Sequence, residues 1–412
     1  MDGLKAYENL PKFLEISPDI LNDNRLNYRM MKDNTQIKES NPGKFIRNVL
    51  IKGILLFLLL NFAIALIPKG MNCGFVSAYN HIFPGRSRLP FGENPKEAYN
   101  LSLYDLEVMF ASHEIDGKQK PSDEYRVILV GDSATWGTLL KPSETLSELI
   151  NHEQLQTCDG REVRTYNLAY PSMSLTKDLM ILEMALEYDP DLIVWPITLE
   201  SFLEKIQIAT PLVANNPHLA LPLLQRFNLS FDEDRDEFVQ STFWDRTLIG
   251  RRRAIFDAIQ LQYYGVMWAA TGIDQTYPTN YTPAQHDFEL GDDQYQDWSK
   301  GDALIDHLAF ELLDAGEKLA GNVPILVINE PILISEGENS DLRYNFFYPR
   351  WAYDQYRAEL GQRANSSAWQ FLDLWDRVPQ DQFTNSAVHL SPEGSQIYLE
   401  HVKAALERLI CR

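Results

Sequence analysis

The chain has 412 residues, 45% of them hydrophobic and 23% charged, which is globular composition and neither disordered nor fibrous. Its formal net charge of -21 argues against a nucleic-acid partner, which needs clustered Lys and Arg, and against a basic protein that coats anionic lipid. Solubility and self-repulsion account for the acidity.

Residues 1–45 mix Asn, Asp, Lys and Pro with scattered apolar residues and read as a cytoplasmic tail. From Ile46 to Ile67 the chain runs IRNVLIKGILLFLLLNFAIALI, and its core from Gly53 is broken only by Asn61. A helix needs about 20 apolar residues to cross a bilayer. The run has no polar face, which argues against a buried core helix. Ala63-Ile-Ala65 resembles a signal-peptide cleavage site, but about 45 mostly polar residues come first. An uncleaved signal-anchor at 46–67 is therefore expected. Arg29, Lys32, Lys38, Lys44, Arg47 and Lys52 precede the span against Asp33 and Glu39, which predicts the N-terminus inside and the large C-terminal part outside.

Residues 68–120 read as a connector. Pro84 to Gly92 is a Gly/Pro-rich loop, and Leu103, Leu106, Met109 and Phe110 give helical spacing over Leu101–His113. The domain at 121–412 then alternates in the α/β manner. Strands are expected at Arg126–Val130, Arg164–Leu168, Asp191–Ile197, Pro324–Ile328 and Phe371–Leu374. Helices are expected at Thr145–Ile150, Leu175–Tyr188 and Ser391–Leu409. Short apolar strands between helices imply a mostly parallel sheet covered on both faces. About 203–300 departs from this rhythm, with an aromatic-rich helix over Arg246–Ala270; an amphipathic helix follows at Ala303–Leu319. The departure reads as a helical insertion, either a lid or an extra layer.

Cys73, Cys158 and Cys411 match no zinc or redox spacing, and two of them could pair outside the cytoplasm. His152, His218 and His307 show no metal spacing, so neither metal nor cofactor is expected. Asn100, Asn228, Asn280 and Asn365 sit in N-x-[ST] patterns, which matter only in a eukaryotic secretory pathway. Arg251-Arg-Arg reads as a solvated helix face.

The candidate chemistry sits in two segments. Val127-Ile-Leu-Val-Gly-Asp-Ser-Ala-Thr-Trp-Gly puts Ser133 just after a buried strand. Sites in parallel sheets form at that end, where the next helix offers backbone N–H groups to an oxyanion. A Ser needs a base. His389 lies in Asn385-Ser-Ala-Val-His-Leu-Ser-Pro-Glu-Gly, with Ser391 and Pro392 as N-cap and first residue of the last helix. From there it can reach back across the strand ends to Ser133.

Gly131-Asp132-Ser133 and His389-Leu-Ser-Pro-Glu-Gly394 resemble the first and last blocks of the SGNH/GDSL hydrolase superfamily, over roughly 124–202 and 322–410. The resemblance implies a flavodoxin-like α/β/α sandwich and ester or acyl-transfer chemistry. It also exposes departures. Ser172 falls where the family carries an oxyanion Gly, Glu200 where it carries an oxyanion Asn, and Ser386, with Asn385 beside it, where it carries the triad Asp. The Ser172 backbone N–H can serve as the Gly's would. An ionised Glu200 cannot donate, and loss of one oxyanion donor costs ~3–4 kcal/mol. Asn385 or Ser386 could orient the ring but not neutralise imidazolium.

After the fourth strand, Asn339, Tyr344, Asn345, Arg350 and Trp351 combine hydrogen-bonding groups with flat apolar faces, which suits a sugar. The expectation is a membrane-tethered esterase or O-acyltransferase acting on an acylated carbohydrate or another ester, held to the membrane by one helix. The alternative is a catalytically degenerate relative that binds glycan or serves as a scaffold subunit. Protein partners are not legible.

Overall fold

The computed structural model describes residues 42–66, 77–84, 104–229, 238–239, 242–277 and 293–411. The expected tail up to residue 41, most of the connector loop, Cys73, Asn100 and Asn280 lie outside them. The chain divides into two compact units, Met1–Leu66 and Ile67–Arg412.

The first unit contains helix α1 (Pro42–Leu66), which is long and apolar enough to cross a membrane. The polar residue within its apolar run from Gly53 is satisfied inside the helix, because Asn61 Nδ2 donates to the Phe57 carbonyl at 2.8 Å. That is the condition for polar groups in a lipid environment.

The second unit opens with α2 (Ala78–Ile82) and α3 (Leu106–Ala111), the latter capped by the Asp105 carboxylate on the Val108 N–H. Then come β1 (Glu124–Leu129), the short α4 (Ser133–Trp136), α5 (Leu146–His152), β2 (Glu162–Asn167), α6 (Leu175–Ala185) and β3 (Leu192–Ile197). The insertion contributes α7 (Pro211–Asn215), α8 (Pro217–Arg226), α9 (Phe243–Arg246) and α10 (Arg252–Thr271). The chain closes with α11 (Glu311–Ala320), β4 (Ile325–Asn329), α12 (Arg350–Ala364), β5 (Gln370–Asp373) and α13 (Pro392–Leu409).

The five strands form one wholly parallel sheet in the order β2-β1-β3-β4-β5. This is the flavodoxin-like order, with its switch point beside β1. Period-2 alternation sends Ile128, Ile193, Trp195 and Val327 into one apolar cluster with α6, α11 and α12. Val127, Leu129, Val194 and Leu326 go to the other, with Leu146 and Ile150 of α5 and Leu399, Val402 and Leu406 of α13. The expected three-layer α/β/α sandwich is the observed one.

Two expectations change. The helix expected over Ala303–Leu319 is broken, because Leu308 bridges to Leu203 and the Ala309 N–H donates to the Phe202 carbonyl at 2.7 Å. A 3-10 turn at Leu304–His307 precedes α11. Helix α12 was not anticipated; it begins after Pro349, so Arg350 and Trp351 belong to its first turn rather than to a loop. Within the insertion, Leu212, Val213, Ala220 and Leu223 of α7 and α8 join the cluster around α6, so this part is an extra helical layer.

Cys158, before β2, pairs with Cys411, after α13, across 253 residues of sequence. A bridge over so long a loop restricts the unfolded chain strongly. Cys158→Ser is expected to lower unfolding stability by about 2–5 kcal/mol, read as a drop in Tm that reductant reproduces in the wild-type chain and not in the variant.

Candidate active site

The nucleophile turn is built by close approach. A Cβ on Gly131 would lie 2.7 Å from Thr135 Oγ1 and 3.3 Å from the Pro196 carbonyl, so only glycine lets the chain leave β1 here. Asp132 caps α4, its Oδ1 accepting from the Ala134 N–H at 2.8 Å. Ser133 is the first residue of α4, so no carbonyl of its own helix can reach its N–H.

His389 is fixed from the other side. Ser391 caps α13 by accepting from the Gly394 N–H at 3.0 Å, and the Thr384 N–H donates to the His389 carbonyl at 2.8 Å. The ring then lies with Nε2 2.9 Å from Ser133 Oγ and Nδ1 2.9 Å from Asn385 Oδ1. An amide oxygen only accepts, so Nδ1 carries the proton and Nε2 offers its lone pair to the serine hydroxyl. Burial pushes the imidazole pKa down to about 4. It is Asn385, not Ser386, whose side chain meets the ring.

A buried ion cluster lies under this pair. Lys177, in the first turn of α6, is wholly buried. Its Nζ donates to the Gly131 carbonyl at 2.6 Å and the Tyr170 carbonyl at 3.1 Å, and lies 2.6 Å from Asp178 Oδ1. Asp178 Oδ2 in turn accepts from Trp195 Nε1 at 3.0 Å. The Tyr170 N–H also donates to Gly131 at 3.0 Å, and Asn167 Nδ2 donates to the Thr135 carbonyl at 3.1 Å. Lys177 therefore clasps the nucleophile turn to the loop after β2. Asp132 and Glu330 are buried in the same field. Burial raises Asp132 to about 6. It raises Glu330 well above the usual carboxyl range, helped by the charges of Asp132 and Asp178.

The expected oxyanion groups are rearranged. The Ser172 N–H donates to the Tyr170 carbonyl at 2.7 Å, a tight local turn that engages the donor expected to face an oxyanion. Its Oγ is buried and has no hydrogen-bond partner among the described residues. Glu200 accepts from the Tyr295 hydroxyl at 2.9 Å and from Gln296 Nε2 at 3.3 Å, and burial raises its pKa.

The expected substrate residues are engaged within the protein. Asn345 is fully buried; it donates to the Leu333 carbonyl at 2.8 Å and accepts from the Phe347 and Tyr348 N–H groups, both at 2.9 Å. Tyr344 donates to Asp354 at 2.7 Å, and the Arg350 guanidinium lies over its ring while Nε donates to the Ser340 carbonyl at 2.6 Å. Trp351 is buried and donates to the Asp293 carbonyl. The Asn339 carbonyl accepts from the Leu342 and Arg343 N–H groups. Asn345 and Trp351 are thus framework, corrected from the sugar-contacting role their residue types suggest. The aromatics this loop exposes are Phe346 and Phe347.

Lys177, Asp178 and Glu330 were missed. The available signal was a Lys-Asp pair inside an otherwise apolar helix, and a Glu directly after a buried strand.

No protein-family model matches the chain, and no curated protein matches it. Solved structures similar to it include a protein described as a GDSL-like lipase from Bacteroides ovatus (12% identity, TM-score 0.33), of which the chain spans only 53% while 69% of this chain is covered. A carbohydrate acetylesterase family member from Sinorhizobium meliloti has 13% identity and TM-score 0.32, covering 69% of this chain and 98% of that one. An esterase from Pseudoalteromonas sp., solved with monoethylphosphonate as inhibitor, has 10% identity and TM-score 0.33, covering 68% and 98%. These are distant likenesses, and the chemistry rests on the geometry of this site.

Lys177→Met would leave Asp178 buried without its cation and destabilise the fold by about 3–5 kcal/mol. The double change Lys177→Met with Asp178→Asn removes that charge. It is expected to restore much of the Tm while Ser133 still reacts with a fluorophosphonate on the order of 10²-fold more slowly, because the two loops are no longer clasped.

Proposed function

We propose that the chain is a membrane-tethered, extracytoplasmic serine esterase or O-acyltransferase acting on an acyl ester, with an envelope glycan as the acylated or accepting partner. The observation that carries the reading is the hydrogen-bonded series Ser133 Oγ, His389 Nε2, His389 Nδ1, Asn385 Oδ1. Ser133 Oγ attacks the ester carbonyl carbon while its proton passes to Nε2. The tetrahedral intermediate collapses, and the imidazolium returns the proton to the departing alcohol. Water or a sugar hydroxyl then attacks the acyl-enzyme, with Nε2 again as base, and Ser133 is regenerated. The Ser133 N–H, at the start of α4, is the donor best suited to the oxyanion. Glu200, with its raised pKa, acts through Tyr295 rather than as an anion facing the substrate.

The location rests on α1 and on the Cys158–Cys411 pair, since disulfides persist outside the reducing cytoplasm. The positive flank of α1 directs the large unit outward.

A second reading has its own support. Asn385 cannot neutralise imidazolium, and Glu200 replaces a donor. Both suit a glycan-binding protein that has lost turnover.

Fluorophosphonate labelling of the full chain in membranes separates the two. The esterase reading expects labelling that Ser133→Ala and His389→Ala abolish; equal, poor labelling of wild type and Ser133→Ala would leave only the binding reading. The depressed His389 pKa fixes the acid limb. Since the folded site disfavours the charged ring, Nε2 stays a free base as pH falls, and the labelling rate is expected to hold until about pH 4. Asn385→Asp supplies a carboxylate that favours imidazolium. It is expected to move that limb to higher pH and to speed labelling about 10-fold or more.

A further inference from the structure

Helix α10 is apolar on the wrong side. Its inner face, which packs on the protein, carries the small residues Ala258, Gly265 and Ala269. The outer face carries Phe256 (63% exposed), Ile259 (63%), Tyr263 (62%) and Met267 (45%), spaced three and four residues apart on one stripe. Ile249 before the helix and Ile273 after it are exposed as well, as is Trp244. A helix resting in water puts polar residues there. Among the described residues nothing covers this stripe.

We propose that the outer face of α10 lies in the interfacial layer of a lipid bilayer, as a second contact beyond α1. Three features select lipid as the occupant. Arg251, Arg252 and Arg253 cluster at the start of the helix, with Arg252 on the stripe itself, in a chain of net charge -21. Such a local cationic edge beside an apolar stripe complements anionic headgroups over acyl chains. Tyr263 on the stripe and Tyr264 beside it are exposed, and rings with one polar edge favour the membrane–water boundary. The third feature is the element that holds α10 in place. Only ten residues of sequence separate α1 from Ser77, the N-cap of α2. Tyr79 of α2 packs with Leu261, Trp268 and Ala269 of α10. The Ala78 N–H donates to Gln262 Oε1 at 2.7 Å, and the Tyr79 hydroxyl donates to Asp274 at 2.5 Å. The chain leaving the apolar helix is thus the part that holds α10.

The test uses the full chain in vesicles of phosphatidylcholine mixed with phosphatidylglycerol. Nitroxides are placed at Phe256→Cys, Tyr263→Cys and, as a control on α11, Lys318→Cys, each with Cys73→Ser. Oxygen partitions into lipid, and a nickel chelate stays in water. The expected result is oxygen-dominated relaxation at 256 and 263 and chelate-dominated relaxation at 318. Chelate-dominated relaxation at all three would overturn the proposal. So would spin–spin broadening between labels at 263, the sign of a second copy on this face. In phosphatidylcholine alone, or with Arg252→Glu and Arg253→Glu, the oxygen preference at 256 is expected to shrink; no change would overturn the headgroup contact. Alkaline extraction reports on α1 and fluorophosphonate labelling on Ser133, so failure of either earlier reading is distinguishable from failure of this one.

Discussion

The Lys177 ammonium sits beyond the reach of water and donates to the carbonyls of Gly131 and Tyr170. A buried cation is expensive unless its charge and its protons are all engaged. Here Asp178 balances the charge and two carbonyls take protons. The consequence is geometric. Gly131 precedes the nucleophile by two residues, and Tyr170 precedes Ser172 by two. One side chain therefore ties the turn that carries Ser133 to the loop that carries Ser172. The sheet supplies the C-terminal edge; Lys177 turns two loops on that edge into one site.

Apart from the Lys177–Asp178 pair, burial disfavours charge on the titratable groups of that edge. Burial lowers the pKa of His389 and raises those of Glu330, Asp132 and Glu200. The amide beside the ring belongs to the same pattern. Asn385 fixes the tautomer and the ring's direction without adding an anion. Orientation survives, and the stabilisation of imidazolium does not. The ring is consequently a weak base that stays available over a wide acidic range.

Much of this was legible because it is local. The strands are short apolar runs with period-2 alternation, and the Ser133 and His389 turns announce themselves through Gly131 and through Ser391-Pro392. What escaped depends on distant partners. Lys177 reads as a surface residue until its carbonyl partners are known. Helix α12 buries Trp351, Tyr353, Tyr356 and Leu360 but shows weak amphipathic contrast, so its period did not stand out. The Ser172 N–H looked available because nothing in the sequence reveals a hydrogen bond two residues back, to Tyr170. The pairing of Cys158 with Cys411 is set by the fold that brings the chain's end beside β2.

The same suppression of charge limits how the oxyanion can be met. With Glu200 held by Tyr295, the reading proposed above leaves the oxyanion to a dipole, the Ser133 N–H at the start of α4. Dipoles stabilise a developing negative charge only where they are held in place before it forms. Ser133 is held by the Asp132 cap, and Ser172 by its turn onto Tyr170, whose carbonyl Lys177 grips. Each is therefore as rigid as the buried ion cluster beneath it. The polar interior of this edge thus belongs to the chemistry above it as much as to the stability of the sheet.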